Sequence, residues 1–412
     1  MRLAGFSALV VMSPLPIAVS GGNAGPVAND RAPTVSSGVI GAAGGQLVLD
    51  GAPYRFVGVN AYEIGTEWGT DAGCGGMLST GELDAFFASL PPHSLVRFWA
   101  FEGSMAVNVR THRIDWGPLD RVFAAAAAHH QLLVPSLTGQ SGGCDNQHWQ
   151  DPSWYQGGFA QVFDDPGAPD ATPRAPLSYW QYVQAIVARY RSSPALGMWE
   201  PISEAEASTC PVRYQPGDCS GHQTCPDEAI AAAALRHFFD VVGEEIHRLD
   251  PRHLVESGLL GSGQCGTEGH DYASVSASPG IDVLSYHDYY RSEESIGGDR
   301  WNGIALRIDQ AAALGKPIIG GELGYAPIDD PATCPDPSGR GTELETEAEA
   351  QIDAGSSGVL LWDWVPTRAA PCNDDIVPGD RVLGAVGRVL CATGPADQLP
   401  EACHLRGRSG EV

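Results

Sequence analysis

Two glutamates stand at the ends of apolar segments, where a charged side chain costs free energy to bury. Glu204 closes the segment 198–204, and Glu322 closes the segment 317–322. Cleavage of a glycosidic bond needs one carboxyl that protonates the leaving oxygen and one that attacks or activates water; retaining enzymes hold them about 5 to 5.5 Å apart. One such glutamate alone is most simply a solvated surface residue. The two together predict a pair of catalytic carboxyls.

The elements that must position these carboxyls alternate along the chain as short apolar runs and longer helical patterns, which is typical of parallel βα units. The eight predicted strands are Arg55–Asn60, Leu95–Phe101, Leu132–Leu137, Leu196–Ile202, Leu254–Leu259, Val283–His287, Ile318–Leu323 and Val359–Trp364. The clearest predicted helices are Leu119–His130, Tyr179–Arg191, Ala229–Leu249, Ile304–Leu314, Leu344–Ala354 and Val382–Leu390. These helices are predicted from the helical periodicity of their apolar residues.

Eight βα units in a single domain predict an α/β fold of the (β/α)8 TIM-barrel type, stapled by disulfides. The alternative is a doubly wound open sheet, which needs a glycine-rich phosphate turn after its first strand; residues 60–63 read Asn-Ala-Tyr-Glu instead. Long loops at 139–176, 207–227 and 327–339 all follow predicted strands, and a barrel carries such loops at the carboxyl face, where active sites form. Strands four and seven lie nearly opposite each other in a barrel, so Glu204 and Glu322 can face one sugar.

The motifs resemble glycoside hydrolase family 5, and within it the endo-β-1,4-mannanases. Residues 97–101 read Arg-Phe-Trp-Ala-Phe, similar to the mannanase pattern at the end of strand two, and 199–206 resemble the family's Trp-Glu, two residues, Asn-Glu-Pro. Residues 249–255 are similar to the entry into strand five. His-Asp-Tyr at 287–289 and Gly-Glu-Leu-Gly at 321–324 match the motifs after strand six and on strand seven.

The resemblance implies roles for these residues. It makes Glu204 the acid/base and Glu322 the nucleophile of a retaining hydrolase of β-linked polysaccharide. Arg97 corresponds to the arginine that hydrogen-bonds the nucleophile, and Trp362 to the tryptophan that floors the sugar at the cleavage point. Ser203 stands where the family has the asparagine that holds the 2-hydroxyl, and the residue after Glu204 is alanine instead of proline.

Elementary chemistry adds further expectations. Arg97 beside the nucleophile lowers that carboxyl's pKa and keeps it ionised, whereas a glutamate in a drier pocket stays protonated as the acid. Tyr289 can donate to the nucleophile, and His287 can position substrate or acid, although a buried structural histidine is about as common. Trp99 is a candidate platform for sugar faces, although core packing is the default for any one ring. The other tryptophans in the same loops and strand ends are Trp68, Trp149, Trp154, Trp362 and Trp364.

Charge excludes several partners. The 412-residue chain carries 50 acidic and 24 basic side chains, for a formal charge of -26. That charge repels nucleic acid and anionic membranes, and no apolar run beyond the leader approaches the roughly 20 residues of a membrane span. A polysaccharide or oligosaccharide substrate and a monomeric state are the expectation, with no cofactor. No metal site is expected either, because the sequence has no H-E-x-x-H motif.

The chain ends and the cysteines predict secretion to the extracellular space. Residues 1–20 read as a signal peptide, 21–45 as a Gly/Ala/Ser/Pro-rich linker, 46–391 as the catalytic domain and 392–412 as a tail. The cysteines number ten, none in a C-x-x-C pair, which favours disulfides over zinc. The first pairings to test are Cys391 with Cys403 and Cys334 with Cys372.

Other classes of function remain open. A β-glucanase or another β-glycan hydrolase of the same clan uses the same machinery, and a barrel that binds carbohydrate without turnover is the main non-enzyme alternative. Residues 139–143 match the G-x-S-x-G pattern of serine hydrolases, but the segment after Ser141 does not have a helical pattern. A Schiff-base enzyme is disfavoured because the single lysine, Lys316, precedes strand seven and so lies at the opposite end of a barrel.

Overall fold

The computed structural model describes residues 38–65, 78–108, 111–145, 148–162, 176–210, 223–289, 296–297, 302–324, 337–367 and 374–384. The strands in these ranges are β1 (Ile40–Ala43), β2 (Gln46–Leu49), β3 (Ala52–Pro53), β4 (Phe56–Asn60), β5 (Leu95–Trp99), β6 (Val107–Asn108), β7 (Arg113–Ile114), β8 (Leu132–Ser136), β9 (Met198–Trp199), β10 (Leu254–Val255), β11 (Leu284–Asp288), β12 (Ile318–Leu323) and β13 (Gly358–Leu361). The α-helices are α1 (Thr80–Ser89), α2 (Gly117–Ala128), α3 (Pro152–Tyr155), α4 (Tyr179–Tyr190), α5 (Glu228–Phe238), α6 (Glu244–Leu249), α7 (His270–Ser276), α8 (Ile304–Leu314) and α9 (Pro337–Ala354). Single π-helical turns occur at Glu102–Ala106 and Phe239–Gly243.

Six strands form one parallel sheet in the order β11-β12-β13-β4-β5-β8, and β9 and β10 form a separate parallel pair. Isolated parallel bridges join the two groups. Leu133 pairs with Leu196 on one side, and Glu256 pairs with Val283 on the other. Each of the eight predicted strands overlaps an observed strand, so the parallel α/β architecture is confirmed. A continuous eight-stranded ladder is not present among the described residues.

The strand interiors explain how the sheet is held together. One buried apolar cluster combines outer strand residues with the helices, and a second, smaller cluster takes alternate residues from the strands, such as Phe56, Leu95, Val134, Met198 and Leu360. Because successive side chains on a strand point to opposite faces, these residues mark the inner face. Toward the carboxyl ends the same inner positions become polar. The sequence therefore places an apolar core below and polar groups above it.

The N-terminal β1–β2 hairpin differs from expectation. Ile40–Ala43 is a strand paired with Gln46–Leu49, although 21–45 is predicted to be linker. Ile40 and Leu47 pack into the inner apolar cluster. Glycines at 44 and 45, both with positive φ, form the turn. The last residues of the predicted linker, 40–45, are thus a strand and the turn of a hairpin, and residues 21–37 lie outside the described part of the chain.

Helix ends follow ordinary capping chemistry. Ser79 and Ser178 each form a capping box, at the start of α1 and of α4, and the Asp227 side chain accepts from two backbone N–H groups at the start of α5. The predicted helix at 382–390 lies mostly outside the described residues. Among the helices described, none is long and apolar enough to cross a membrane.

One disulfide has both partners in the described ranges, Cys225 with Cys265, across a sequence separation of 40 residues. Cys144 and Cys210 are also disulfide-bonded. The expectation of a disulfide-stapled protein is supported by these four cysteines. The two pairings expected first, which involve residues 334, 372, 391 and 403, lie outside the described part of the chain.

Candidate active site

Glu204 and Glu322 meet on one histidine at the carboxyl end of the sheet. Glu204 follows β9, and Glu322 lies in β12 beside His287 of β11 in the strand register. The His287 Nδ1 atom is 2.8 Å from Glu204 Oε1 and 3.5 Å from Glu322 Oε2. The three donor atoms offered by these residues all lie within 4.8 Å of one another. The sequence separates the two carboxyls by more than a hundred residues, and the fold brings both of them to one imidazole.

Glu204 adopts a backbone conformation that non-glycine residues rarely take. Its φ is +58°, in the left-handed region. Such a residue costs of order 1–3 kcal/mol and persists only where its surroundings fix it. Here the Glu204 N–H donates to the Gly258 carbonyl oxygen at 2.7 Å. The side chain is 40% exposed, in contrast to the 4% of Glu322. The strained turn therefore holds one carboxyl at the mouth of the site, over a second carboxyl below.

Arg97 is the buried hub of the site. Its guanidinium donates to both carboxylate oxygens of Glu200, to Glu322 Oε1 at 2.7 Å, to Ser203 Oγ at 2.7 Å and to Asn60 Oδ1 at 2.9 Å. Arg97 is 1% exposed, and the Glu200 side chain is fully buried. A planar guanidinium can serve several acceptors at once in a fixed geometry. It therefore sets the positions of Glu322 and Ser203 relative to each other.

Tyr289 and His287 complete the surroundings of the lower carboxyl. The Tyr289 hydroxyl donates to Glu322 Oε2, so Arg97 and Tyr289 each hold one oxygen of that carboxylate. Gly321 is needed for this packing. A Cβ there would come within 2.5 Å of Ser285 Oγ and 3.0 Å of His287 Nε2. A side chain larger than hydrogen at 321 would push the histidine out of the site.

The pKa values of the two carboxyls are shifted in the directions opposite to those expected from the sequence: that of Glu322 is raised and that of Glu204 is lowered. Burial raises the pKa of Glu322, and His287, Arg97 and Tyr289 offset it only in part. At Glu204 burial also raises the pKa, but the hydrogen bond and charge of His287 outweigh it, so the pKa is lowered. Burial lowers the pKa of His287, but Glu322 and Glu204 outweigh it and raise the value. The proton expected on Glu204 is thus favoured on His287.

Two of the tryptophans form an aromatic wall beside the carboxyls. Tyr62 stacks on Trp362 with ring centroids 5.4 Å apart, and its ring centroid lies 4.6 Å from that of Trp99. Tyr289 meets Trp362 edge to face at 6.2 Å. Phe101 stacks on one face of Trp99 and Tyr62 on one face of Trp362, but both tryptophans are only partly buried, so part of each ring is open to solvent. The wall has the apolar surface that sugar faces stack on.

The remaining described tryptophans of the predicted set belong to the core. Trp149, Trp154 and Trp364 are at most 9% exposed. The Trp149 indole donates to the Ser208 carbonyl oxygen, and Trp364 packs on Phe86. The expectation that these three could stack on sugars is not supported by their burial. Trp68 lies outside the described residues.

Sequence reasoning missed two polar residues of the site. Asn60 pairs with Arg97 in the register of β4 and β5, and its amide donates to the Gly321 carbonyl oxygen. Glu200 accepts from Arg97 and from Ser136 Oγ at 2.9 Å. Asn60 follows the inner residue Phe56 by four positions and Glu200 follows the inner residue Met198 by two, so both side chains lie on the inner face. A polar residue at such a position is the signal that could have found them.

A metal ion would have limited room in this site. Glu204, His287 and Glu322 offer three donor atoms within 4.8 Å of one another. The Arg97 guanidinium is 2.7 Å from Glu322, however, and already supplies a positive charge there.

Serine-hydrolase and Schiff-base chemistry also meet structural obstacles. Within the described ranges, no helix begins directly after Ser141, as a nucleophile elbow requires. Lys316 Nζ donates to three carbonyl oxygens, those of residues 276, 278 and 281. The lysine is therefore held by the backbone before β12, at the opposite end of that strand from Glu322.

The known proteins to which this chain is similar belong to the class that its motifs resemble. No family model matches the chain. The chain is 26% identical to the probable mannan endo-1,4-beta-mannosidase C of Aspergillus terreus, covering 71% of this chain and 74% of that one. It is 25% identical to mannan endo-1,4-beta-mannosidase F of Aspergillus clavatus, covering 82% and 74%. The predicted resemblance to mannanases is confirmed.

Solved structures extend the likeness to the fold of family 5. The endo-1,4-beta-mannanase of Rhizomucor miehei superposes with a TM-score of 0.56 at 19% identity, covering 86% of this chain and 99% of that one. The glycoside hydrolase family 5 mannosidase of the same organism gives 0.53 at 14% identity, covering 86% and 97%. At these identities the structures support the fold alone. The roles of the site residues therefore rest on their own contacts.

Proposed function

We propose that the chain is a retaining glycoside hydrolase that cleaves β-linked polysaccharide of the mannan type by double displacement. Glu322 is the nucleophile and Glu204 the general acid/base. Arg97, Trp99, Ser203, His287, Tyr289 and Trp362 bind or position the substrate and the two carboxyls. The mannan endo-1,4-beta-mannosidases to which the chain is similar support this substrate class.

The observation that carries the proposal is the distance between the two carboxyls. Oxygens of Glu204 and Glu322 lie within 4.8 Å of each other, and His287 Nδ1 contacts both side chains. Retaining glycosidases hold their carboxyls about 5–5.5 Å apart, whereas inverting enzymes leave about 6.5–9.5 Å for a water molecule. An oxygen-to-oxygen approach this close fits the retaining arrangement better than the inverting one. It supports attack by the glutamate itself.

In the first step a Glu322 carboxylate oxygen attacks the anomeric carbon while the bond to the leaving oxygen breaks. Glu204 gives its proton to that oxygen. In the second step Glu204, now a carboxylate, takes a proton from water, and the water oxygen displaces Glu322 from the anomeric carbon. Arg97 and Tyr289 hold the Glu322 oxygens throughout, and their donors stabilise the carboxylate when it leaves.

Substrate binding must move the acid proton, because His287 lowers the pKa of Glu204. The Glu204 side chain is 40% exposed before substrate arrives. A sugar in the cleft displaces solvent from that carboxyl, and desolvation raises a carboxyl pKa. The proton of the Glu204–His287 pair then lies on Glu204, where the leaving oxygen needs it.

The same proposal extends to the architecture and location. The strands β4, β5, β8, β9, β10, β11, β12 and β13 form the wall of a (β/α)8 barrel, with the isolated bridges closing it. The disulfides and the signal-like residues 1–20 support secretion to the extracellular space. A monomer that needs no cofactor or metal remains the expectation.

The test is reducing-sugar release by purified protein from mannan, galactomannan, β-glucan and xylan, with the anomer of the first product read by NMR. Release from mannan with retained configuration is the expected result. Release from β-glucan alone would move the substrate class within the clan. If no β-glycan is cleaved while oligosaccharides still bind, the protein is a carbohydrate-binding barrel without turnover.

A further inference from the structure

The second ring nitrogen of His287 has no partner among the described residues. Nδ1 lies 2.8 Å from Glu204 Oε1, whereas Nε2 is buried and makes no hydrogen bond within the described ranges. The His287 side chain is fully buried, so solvent does not reach Nε2. The hydrogen bond at one imidazole nitrogen decides which nitrogen carries the proton, and a histidine in acid/base chemistry is commonly fixed in this way. We therefore expect a polar group close to Nε2.

Ser285 is the polar group that the strand places beside this nitrogen. It lies two residues before His287 in β11, so both side chains point to the inner face of the sheet. Ser285 Oγ and His287 Nε2 face the same space at Gly321, where an added Cβ would lie 2.5 Å from the first atom and 3.0 Å from the second. Ser285 is fully buried, and its hydroxyl likewise has no hydrogen-bond partner among the described residues. Two unpaired polar atoms thus share one small space that the glycine leaves open.

Glu256 lies beside Ser285 on its other side. It follows β10 and forms a parallel bridge with Val283, two residues before Ser285. Glu256 Oε1 accepts from the Gly258 N–H at 2.9 Å, whereas Oε2 is buried without a hydrogen-bond partner in the described part of the chain. Burial raises the pKa of Glu256 well above its usual range, and Ser285 lowers it in part, which is the effect of a hydroxyl that faces the carboxyl. Because a hydroxyl can accept one hydrogen bond and donate another, Ser285 can serve His287 and Glu256 together.

We propose that Ser285 is a positioning residue for the acid/base step: its hydroxyl accepts a hydrogen bond from His287 Nε2–H, directly or through one water molecule, and donates one to Glu256 Oε2. The inference rests on the proposed glycosidase function and deepens it. With the Nε2 proton held by Ser285, Nδ1 is the nitrogen that exchanges a proton with Glu204. When that proton passes from Nδ1 to Glu204 Oε1, the ring becomes neutral and keeps its Nε2 proton. A carboxyl retains acceptor capacity when it is protonated, so Glu256 can accept from Ser285 in either state.

The charged and titratable groups around this arrangement act on His287 independently of the serine. They are Arg97 on β5, Glu200 and Glu204 after β9, Tyr272 on α7, Tyr289 after β11 and Glu322 on β12. Burial lowers the pKa of His287, Glu322 and Glu204 raise it by more, and Arg97 lowers it in part. Removal of the Ser285 hydroxyl removes no charge from this set. A change in the pKa of His287 in such a variant therefore reports the hydrogen bond.

The experiment measures the pKa of the His287 ring by NMR titration of the full chain with isotope-labelled histidine, and His287→Ala identifies the signal. The Nε2 proton is present while the Glu204–His287 pair holds its exchangeable proton, so an acceptor at Nε2 stabilises the protonated pair. Ser285→Ala should therefore lower the pKa of the ring by about one pH unit, the equivalent of one hydrogen bond. Above that pKa, kcat/KM on mannan should fall about tenfold. Aryl glycosides with acidic phenols should keep theirs, because their leaving groups need little protonation.

Matched variants separate the hydrogen bond from a general loss of packing. Ser276 on α7 is also fully buried with an unpaired hydroxyl in the described ranges, so Ser276→Ala should leave the pKa of the His287 ring unchanged. Glu256→Gln replaces the Oε2 acceptor by an amide donor; it should lower the pKa of the ring by less than Ser285→Ala does, and should add nothing to that variant. Ser285→Cys keeps the shape with a weaker acceptor and serves if Ser285→Ala does not fold. A thermal melt of each variant shows whether it folds.

The outcomes are distinct from those of the glycosidase test. An unchanged or raised pKa of the His287 ring in folded Ser285→Ala, or an equal loss of kcat/KM on mannan and on aryl glycosides, overturns the role of Ser285. A Glu256→Gln shift of the same size with and without the Ser285 hydroxyl means that Glu256 acts by charge through space, and overturns its hydrogen bond to the serine. Failure of the wild-type protein to cleave any β-glycan defeats the proposed function, but the NMR titration, which needs no turnover, still reads the hydrogen bond at Nε2.

Discussion

Removal of Arg97 should destabilise the protein more than almost any other single change at the site. The side chain is 1% exposed and donates five hydrogen bonds, two of them to the fully buried Glu200 and one to Glu322. Taking one partner from a buried ion pair leaves an uncompensated charge and typically costs about 3–5 kcal/mol. Arg97→Met keeps the apolar volume of the stem. It should therefore lose about 3–5 kcal/mol of the free energy of unfolding at pH 7.

Urea unfolding followed by circular dichroism measures this loss, provided that the slope of the free energy with urea is unchanged. The matched control is Arg189→Met, because Arg189 also makes a two-pronged contact with a carboxylate, that of Asp120. That pair is about 40% exposed on each side, so its loss should cost about 1 kcal/mol or less. Burial, and not the number of bonds, then accounts for the difference.

A double variant tests whether the buried ion pair of Arg97 and Glu200 causes this loss of stability. Arg97→Met/Glu200→Leu removes both charges of the buried pair, and replacing such a pair by apolar groups is often nearly neutral. It should recover part of the loss, with the remainder due to Glu322, which keeps its charge without Arg97. If Arg97→Met costs less than about 1 kcal/mol, or if the double variant is no more stable than the single one, the buried-pair reasoning is wrong.

Three further results are expected. Azide should restore activity of Glu204→Ala on activated aryl glycosides with a product of retained configuration. With Glu322→Ala the azide product should have the inverted configuration. If NMR of the products shows the reverse pattern, the roles of the two glutamates are exchanged. His287→Ala should shift both limbs of the kcat/KM profile against pH upward, because His287 lowers the pKa of Glu322, which must be ionised, and of Glu204, which must be protonated; a downward shift of either limb would contradict this. Cys225→Ser should lower the free energy of unfolding by up to about 4 kcal/mol, since its disulfide closes a 40-residue loop, whereas a loss below about 1 kcal/mol in urea would show little constraint on the unfolded chain.

The eight parallel strands are predictable from the sequence because each contains a buried apolar run, whereas the short antiparallel strands β1, β2, β3, β6 and β7 do not stand out in this way. The predicted strand at 318–323 and the predicted helix at 304–314 have the observed limits. The helix α1 is missed because its buried residues, Leu83, Phe86 and Phe87, give a narrow apolar stripe in a polar segment. The short helix α7 has only seven residues, too few for a periodic pattern to emerge.

The candidate site is predictable where a motif names the residue. The electrostatic environment of the site is not predictable in this way, because it depends on which charged groups the fold brings together. The sequence predicts that Arg97 hydrogen-bonds the nucleophile, but Arg97 also donates to Glu200, so that its positive charge is shared between two carboxylates. At Glu322, burial therefore raises the pKa by more than Arg97 lowers it. Asp363 is a second example, because the charge of Glu63 helps to raise its pKa although the two residues lie far apart in the sequence.

The balance of charge bears on the proposed mechanism. Arg97 brings one positive charge to a region that holds Glu200 and Glu322, and burial raises the pKa of the neighbouring Glu256 well above its usual range. The region is therefore net negative when Glu322 is ionised. The transition state of glycoside cleavage places positive charge on the sugar ring, and fixed negative charge that is already in place stabilises it without reorganisation.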